Sequence, residues 1–379
     1  MKRSEDRILT SHSGSLFVPP TDDHMQSAHP AEIAPDDTAR RQQAIGAGVR
    51  AIVDKQVEVG LDIINNGDLN AGVTLRTIPS MFDGLEQRPP AGHDALKGVP
   101  DEDMETYAEY YEAHPYMPFD PGPIAATGPI GTRGLDLLQW DLATLKAAAE
   151  GKRHEELFYC FLSPGWLTRW IIDEHYGSEQ QLLLALAEAV KPYYRAVVDA
   201  GLILQIDSPD LVDEWTWDRW TDLAAYRKDL EWRIEVLRDT IEGLPEEQIR
   251  LHFCWGSWRG PHSVALPLEE VLDLIYAFPA QCYSIEAAKA NHTHEWRAFE
   301  RHPLPDGRFV MPGVIDHTTP LIEHPQVIAD RLVTYAKVVG KENVIAGTDC
   351  GMRIDSRVEW AKLESVAKGA ELATKELFG

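Results

Sequence analysis

Long apolar stretches are missing from this 379-residue sequence. The longest, from Leu182 to Val190, is interrupted by Glu188 and is far too short to span a bilayer, which needs about 20 apolar residues. The first residues, MKRSEDRILTS, are charged and lack the apolar core of a secretory signal. These absences predict a cytoplasmic protein that does not associate with membranes.

Positive charge is also scarce, because 36 Lys and Arg face 61 Asp and Glu, a formal net charge of -25. An acidic surface repels phosphate backbones and anionic lipid, which argues against nucleic acid and membranes as partners. An anionic substrate would need a local cluster of positive charge or a metal ion to hold it. Cysteine is limited to four residues, and a long chain without an export signal is expected to keep them as reduced thiols.

What the sequence does contain is a repeated order of short β-rich runs and amphipathic stretches. The predicted strands are Ile8–Leu16, Leu61–Gly67, Ile124–Gly128, Leu202–Asp207, Ile249–Trp255, Cys282–Ala287, Phe309–Ile315 and Asn343–Thr348. The residues Ile328, Leu332, Tyr335 and Val339 form the apolar stripe of a helix. Eight strands that alternate with helices favour a closed parallel barrel over an open doubly wound sheet. No GxGxxG motif follows the first strand, which argues against a dinucleotide-binding fold.

We therefore predict one domain, residues 1–379, that folds as an α/β protein, a single (β/α)8 TIM barrel with long insertions in its βα loops. The main insertion covers about residues 83–123, which are rich in proline, acidic residues and tyrosine. Long loops on the catalytic face of a barrel can act as lids, and they can also form contacts between subunits of a homo-oligomer. The sequence leaves both roles open.

The strongest chemical signal is the segment LHFCWG, in which His252 and Cys254 stand two residues apart at the end of a predicted strand. Alternate side chains of a strand point the same way, so these two can reach one ion. Glu286 and Cys350 stand at the ends of two later strands, and the carboxyl ends of barrel strands converge on one site. An imidazole, two thiolates and a carboxylate form a tetrahedral zinc shell.

This ligand set also predicts a reaction class. Two thiolates and a carboxylate donate much negative charge and lower the Lewis acidity of the metal, which suits the binding of a substrate thiol as a thiolate. We therefore predict alkyl transfer to sulfur, with Glu286 or a water molecule as the ligand that makes room for the substrate. Cys160 and Cys282 lack such a context and are predicted to be buried structural residues.

At this point the sequence resembles a known family, the catalytic barrel of cobalamin-independent methionine synthase within the methionine synthase II-like zinc-dependent thiol alkyltransferases. The motifs that carry the resemblance are ILTSHSGSL at 8–16, GLDIINNGD at 60–68, TGPI at 127–130, LILQIDSPDL at 202–211, LHFCWG at 251–256, YSIEAA at 283–288, GVIDHTTP at 313–320 and VIAGTDCGM at 344–352. The resemblance implies zinc as the cofactor, held by the same four ligands.

The resemblance implies further site residues. Ser15 matches a serine that holds the amino-acid substrate, and Asp68 stands where the family has a glutamate that binds the substrate ammonium. Asp207 matches an acid of the substrate pocket, which we count among both the catalytic and the substrate-binding residues. His317 directly follows Asp316, whereas the family places its histidine one residue later, and it is the candidate acid that protonates the leaving group.

The predicted function is a zinc-dependent transferase that moves a methyl group, from a folate-type or other donor, to a thiol such as homocysteine. The first alternative is alkylation of a zinc-bound thiol like that of epoxyalkane:coenzyme M transferase. The second is a structural zinc barrel without catalysis, although structural sites prefer four closed Cys and His ligands and Glu286 argues for an open site. A metal-free barrel of the uroporphyrinogen decarboxylase type is disfavoured by the two thiols at strand ends.

One aromatic cluster has two readings. Residues 213–220, DEWTWDRW, bring three tryptophans into the loop that follows Asp207. They form either a floor for a flat substrate such as a pterin or the packing of a long loop, which is the commoner use of tryptophan.

Overall fold

The computed structural model describes residues 1–20, 38–69, 77–89, 100–114, 123–218, 220–352 and 354–379. The strands are β1 Leu9–Thr10, β2 Ile63–Ile64, β3 Phe82–Gln87, β4 Ile124–Thr132, β5 Glu156–Leu162, β6 Ile171–Asp173, β7 Ile203–Asp207, β8 Ile249–Phe253, β9 Cys282–Ile285, β10 Phe309–Pro312 and β11 Ile345–Ala346. The α-helices are α1 Thr38–Val59, α2 Ile78–Met81, α3 Asp101–Thr106, α4 Ala108–Ala113, α5 Leu135–Ala149, α6 Pro164–Thr168, α7 Glu179–Asp199, α8 Asp210–Trp217, α9 Leu223–Thr240, α10 Leu272–Ile275, α11 Ala298–Arg301, α12 Pro325–Val339 and α13 Ser356–Phe378.

Within these ranges, eight parallel strands curl into a barrel. Six of them are hydrogen-bonded in the order β2-β5-β7-β8-β9-β10. The ring continues from β10 to β11 through a bridge between Val310 and Val344, and β11 pairs with β1. Between β1 and β2, the backbone N–H of Asp62 donates to the carbonyl of Thr10 at 3.1 Å. The predicted (β/α)8 barrel is thereby confirmed.

The predicted third barrel strand is wrong. Residues Ile124–Gly128 belong to β4, which pairs antiparallel with β3 and parallel with β6 in a separate three-stranded sheet of the described chain. The third barrel strand is β5, which lies between β2 and β7. Its sequence, ELFYCFL, is a nearly continuous apolar run, and such a run cannot be told from a buried helix segment by periodicity.

The outer helices bury one face each, as the sequence predicts. In α12, Ile328, Leu332 and Tyr335 are buried, and this helix packs against α13. The helix α13 begins after Asp355, whose side chain accepts hydrogen bonds from two backbone N–H groups of the first turn. A membrane-crossing helix is not found in the described ranges, because none of their helices combines the required length and apolarity.

The described part of the predicted insertion is tied to the loop that follows β8. Asp103 in α3 is only 2% exposed and accepts hydrogen bonds from the hydroxyls of Tyr111 and Ser263, at 2.6 and 2.9 Å. The Nε1–H of Trp258 and the backbone N–H of His262 also donate to it, both at 3.3 Å. Because this loop starts at the carboxyl end of a barrel strand, α3 and α4 lie at the catalytic end of the barrel.

Candidate metal centre

An imidazole and two thiols meet at the carboxyl ends of β8 and β11. His252 is part of β8, Cys254 directly follows that strand, and Cys350 lies four residues after β11. The candidate ligand atoms of these three residues all lie within 4.8 Å of one another, and the two sulfur atoms are 3.6 Å apart. The structure therefore brings together three of the four predicted zinc ligands.

The His252 ring is oriented for a ligand. Its Nδ1 lies 3.0 Å from the hydroxyl of Ser284, while its Nε2 is buried without a hydrogen-bond partner. A hydrogen bond at one ring nitrogen is the usual way in which a protein fixes the orientation of a metal-binding histidine. The hydrogen bond from Cys254 and the neighbouring His252 lower the pKa of Cys350, which makes Cys350 the more readily ionised thiol. An unsatisfied imidazole nitrogen beside two thiols is a donor set that fits zinc.

Glu286, the fourth predicted ligand, lies in the neighbouring cluster. Its candidate ligand atom groups with those of His317 and Asp349, and its side chain is completely buried. One carboxylate oxygen lies 2.7 Å from the Nζ of Lys289, and the other accepts the backbone N–H of Trp255 at 2.8 Å. Burial opposes ionisation of Glu286, but the charge of Lys289 outweighs it and lowers the pKa. Whether Glu286 binds the metal stays a prediction.

Asp349 connects this neighbouring cluster to the metal ligands. Its carboxylate accepts the backbone N–H groups of residues 287–289 at 2.7, 2.7 and 2.8 Å. These residues follow Glu286 directly, and Asp349 itself precedes Cys350. Asp349 is not among the predicted site residues, although its place directly before the predicted ligand Cys350 is a signal in the sequence.

Ser15 and Asp68, the predicted substrate-binding pair, are in contact. The Ser15 hydroxyl donates to the Asp68 carboxylate at 3.1 Å, and the side-chain amide of Asn65 donates to the other oxygen at 3.1 Å. A Cβ added at Gly351, next to Cys350, would lie 3.1 Å from the Ser15 Cβ. The pair therefore borders the loop that carries a thiol, and its role in substrate binding stays a prediction.

The two predicted acid–base residues also lie at this end of the barrel. Asp207 pairs with His252 in the register of β7 and β8, and burial raises its pKa to about 7. The His317 Nε2 lies 3.0 Å from the hydroxyl of Ser257, which itself lies 3.7 Å from the sulfur of Cys350. Burial lowers the pKa of His317 and favours the neutral ring. All eight predicted site residues thus lie at or beside the carboxyl ends of the barrel strands.

The tryptophan-rich segment, predicted as a loop, lies largely in helix α8, and its tryptophans are engaged in packing. Trp215 and Trp220 both contact Tyr226 edge-on, with ring centroids 5.4 and 5.5 Å away. Trp217 lies under the guanidinium of Arg169, whose Cζ is 4.5 Å from the ring centroid, and its Nε1–H donates to Asp213 at 2.8 Å. These contacts support the packing interpretation of residues 213–220.

Fold and site together define a (β/α)8 barrel protein with a candidate thiol-rich metal site at the carboxyl ends of its strands. Residues 168–373, more than half of the chain, match the family model described as the catalytic domain of cobalamin-independent synthase. The chain belongs to this family, as the strand-end motifs predict.

Two curated relatives and one solved structure are similar to this chain at low sequence identity. A 2-hydroxypropyl-CoM lyase from Xanthobacter autotrophicus is 25% identical over 239 residues, which cover 56% of this chain and 60% of that protein. A methionine synthase from Sulfurisphaera tokodaii is 25% identical over 226 residues, which cover 59% of this chain and 58% of that protein. The chain thus spans less than two thirds of these relatives. A B12-independent methionine synthase from Shewanella sp. W3-18-1 shares the fold, with a TM-score of 0.73 at 19% identity over 98% of this chain and 99% of that one.

Proposed function

We propose that this protein is a zinc-dependent transferase that moves an alkyl group, in the first instance a methyl group, to the sulfur of a small thiol. The observation that carries the proposal is the group of His252, Cys254 and Cys350, with the buried Nε2 of His252 unpartnered. Bound zinc would keep a substrate thiol in its thiolate form at neutral pH. Membership in the cobalamin-independent synthase family supports this reading.

The residues around the three candidate ligands can each be assigned a role in the proposed reaction. Asp68 supplies a negative charge, and the Ser15 hydroxyl fixes its orientation, as the ammonium group of an amino-acid thiol requires. His317 is the candidate proton donor to the leaving group, because Ser257 connects its ring to the neighbourhood of Cys350. Asp207, in register with His252, lines the same end of the barrel.

Homocysteine is the first thiol to test and coenzyme M the second. The relatives carry the names methionine synthase and 2-hydroxypropyl-CoM lyase at the same 25% identity, so their names do not choose between the two. The contact between Ser15 and Asp68 does favour one, because a carboxylate attracts the ammonium of an amino acid and repels a sulfonate. We therefore place homocysteine first, with a folate-type compound as the methyl donor.

Zinc content is the first test of this function. The purified protein should bind about one zinc per chain, as a single site of this kind does. Cys350→Ser should lose most of the zinc, because it removes one of the three grouped ligand atoms. Cys282→Ala is the matched control, since Cys282 is buried in β9 and outside the ligand group. Retention of zinc by Cys350→Ser would contradict the proposal.

A thiol-by-electrophile screen then identifies the reaction. Homocysteine and coenzyme M are each combined with methyl donors and with epoxides, and thioether products are measured by mass spectrometry. We expect a methylated amino-acid thiol and loss of product in Cys350→Ser. A zinc-loaded protein that forms no thioether and whose zinc absorption spectrum does not change with any thiol would favour a structural zinc barrel.

A further inference from the structure

Arg250 is a buried arginine in the interior of the barrel. It is part of β8 and stands two residues before His252, so both side chains point to the same side of that strand. Arg250 is only 1% exposed and is in register with Cys282 of β9. Its guanidinium Cζ lies 4.0 Å from the centroid of the Phe158 ring. A buried cation is costly unless polar groups compensate it, so the contacts of this guanidinium indicate its role.

The oxygen acceptors of the guanidinium lie in one segment, the β1 loop, residues 11–15, which directly follows β1. The Nη1 of Arg250 donates to the hydroxyl of Ser11 at 3.1 Å, and the Nη2 donates to the carbonyl of His12 at 3.3 Å. The Nη1 also lies 3.6 Å from the sulfur of Met311, while the Nε is buried without a hydrogen-bond partner. Within the described ranges, no carboxylate forms an ion pair with Arg250. The start of the β1 loop therefore compensates the buried charge.

The same loop carries one member of the predicted substrate-binding pair. It ends at Ser15, whose hydroxyl donates to the carboxylate of Asp68 at 3.1 Å. A second side chain of the barrel interior also reaches the loop, because the amide of Gln205 donates to the carbonyl of Ser13 at 3.1 Å. That donor is neutral, whereas Arg250 is charged, and charged donors form about twice as strong hydrogen bonds. Arg250 is therefore the stronger of these two anchors of the loop.

The strand β8 thereby connects the two ends of the candidate site. An amino-acid thiol has to place its sulfur at the metal ligands and its ammonium at Asp68 at the same time, so the separation of the two positions has to match the substrate. Because Arg250 and His252 belong to one strand, the hydrogen bonds of Arg250 fix the β1 loop relative to a candidate metal ligand. Simple filling of the barrel interior would need no guanidinium, which adds a buried charge and an unpartnered Nε.

We propose that Arg250 is a positioning residue that holds the β1 loop, and with it Ser15 and Asp68, at a fixed place relative to the metal ligands. The proposal rests on the proposed function and deepens it, because it names the group that adapts the site to thiols with an ammonium group. Arg250 acts through the β1 loop and needs no contact with the substrate. Thiols that lack an ammonium group should therefore bind equally well with and without Arg250.

Thiol binding by calorimetry tests this assignment without a methyl donor. The zinc-loaded protein is titrated with homocysteine and with γ-mercaptobutyrate, which is homocysteine without its ammonium group. Arg250→Met keeps a long side chain and removes the charge together with its donors. The affinity for homocysteine should fall about tenfold, the size of a lost charged hydrogen bond, and the affinity for γ-mercaptobutyrate should change less than about twofold. Arg250→Lys, which keeps the charge, should recover part of the selectivity.

Hydrogen exchange gives a second readout that does not depend on any ligand. The β1 loop should exchange faster in Arg250→Met than in the unaltered protein, because the loop has lost its charged anchor. The matched control is Arg233→Met, which removes another buried guanidinium from the outer helix α9, where it pairs with Asp229 and Glu179. This control should leave both the exchange of the β1 loop and the preference for homocysteine unchanged.

The outcomes separate this proposal from the proposed function. An unaltered zinc-loaded protein that binds neither thiol contradicts the function itself, and slow exchange of the β1 loop in Arg250→Met would then still overturn the anchoring role. An unaltered preference for homocysteine in Arg250→Met, or an equal loss of affinity for both thiols, would overturn the proposal while the function stands. If Arg250→Met does not fold, Ser11→Ala removes one acceptor of the guanidinium and should lower the preference about threefold. An unchanged preference in a folded Ser11→Ala would then overturn the proposal.

Discussion

Two residues with positive φ stand at the candidate site. Among the described residues, Asp68 and His262 are the non-glycine residues with this conformation, at 53° and 51°. Such conformations cost about 1–3 kcal/mol and persist where the surroundings hold them. Asp68 contacts Ser15. The His262 ring stacks on Trp258, with ring centroids 3.6 Å apart, and its Nε2 lies 3.4 Å from the Nζ of Lys289. Backbone strain is thus located at two residues near the candidate metal centre.

Gly14 makes room for the Asp68 carboxylate, which allows a test of the substrate-binding pair. Its φ is 127°, and an added Cβ would lie 2.5 Å from the Asp68 Oδ2. Gly14→Ala should displace the carboxylate and raise KM for the amino-acid thiol about tenfold or more, the size of a lost charged hydrogen bond, while zinc content is retained. Steady-state kinetics with homocysteine and zinc analysis provide the measurement.

The control for Gly14→Ala is Gly151→Ala. Gly151 also has a positive φ, of 71°, but nothing lies within 4 Å of an added Cβ. This variant places a side chain at another positive φ without a collision at the site, so its KM should stay unchanged. An equal rise of KM in both variants would show that backbone strain, and not Asp68, determines the effect.

Some residues of the candidate site can be predicted from the sequence and others cannot, because their positions are determined in different ways. Strand alternation places His252 and Cys254 side by side, and barrel geometry adds Cys350. Lys289 carries no such signal, because its position depends on the fold of the loop after β9. Asp349 does stand beside a predicted ligand, but its partners are backbone N–H groups 60 and more residues away in the chain. Contacts of this kind form only when the barrel folds, and the local sequence does not predict them.

At the level of secondary structure elements, the barrel strands contain fewer residues than the segments that were predicted from the sequence. Ile8–Leu16 was predicted as one strand, whereas β1 covers only Leu9–Thr10. The residues after Thr10 form the loop that carries Ser15, and the polar residues Ser11, His12 and Ser13 are buried there. The strand β5 was missed for a different reason, since its apolar run has no alternation and directly follows two acidic residues, Glu155 and Glu156.

The helices α3 and α4 depend on one buried carboxylate for their attachment. Asp103→Ala would leave the donors of Tyr111, Trp258 and Ser263 without their acceptor, and each such loss costs about 1–3 kcal/mol. We expect faster hydrogen exchange in residues 100–114 and 258–263 and a lower melting temperature. Mass spectrometry of exchanged peptides measures this effect.

The control for this variant is Glu109→Gln, which changes an exposed acidic residue of α4. Its exchange pattern should match that of the unaltered protein. If exchange in residues 100–114 stays slow in Asp103→Ala, other contacts hold the insertion. A rise of exchange confined to residues 258–263 would show that Asp103 orders the loop after β8 without fixing the helices.

For the whole molecule, buried carboxyl groups predict how stability depends on pH. Burial raises the pKa of Asp141 and Asp213 to about 7 and that of Glu214 to about 8. The folded state therefore binds more protons than the unfolded state above about pH 4, and the contribution of these groups to stability is lost as the pH rises through 7 to 8. The net charge of -25 acts in the same direction, because self-repulsion grows as protons leave.

Urea unfolding in the presence of a chelator, which removes the contribution of metal binding, tests this dependence. The free energy of unfolding should fall between about pH 6 and about pH 8.5. Asp141→Asn should show a shallower fall, since it removes a group buried beside Tyr159 and Asn66. A stability that rises over this range, or an unchanged slope in Asp141→Asn, would contradict the interpretation.

The closure of the barrel between β1 and β11 has a consequence for how members of this family can differ. The three grouped thiol and imidazole residues lie between 252 and 350, inside the range that the family model matches. Ser15 and Asp68 lie in the loops that follow β1 and β2, outside that range, and the pairing of β1 with β11 brings these loops to the same end of the barrel. The proposed zinc ligands and the proposed substrate-binding pair therefore lie in separate parts of the chain, so that either group can change in sequence while the other is kept.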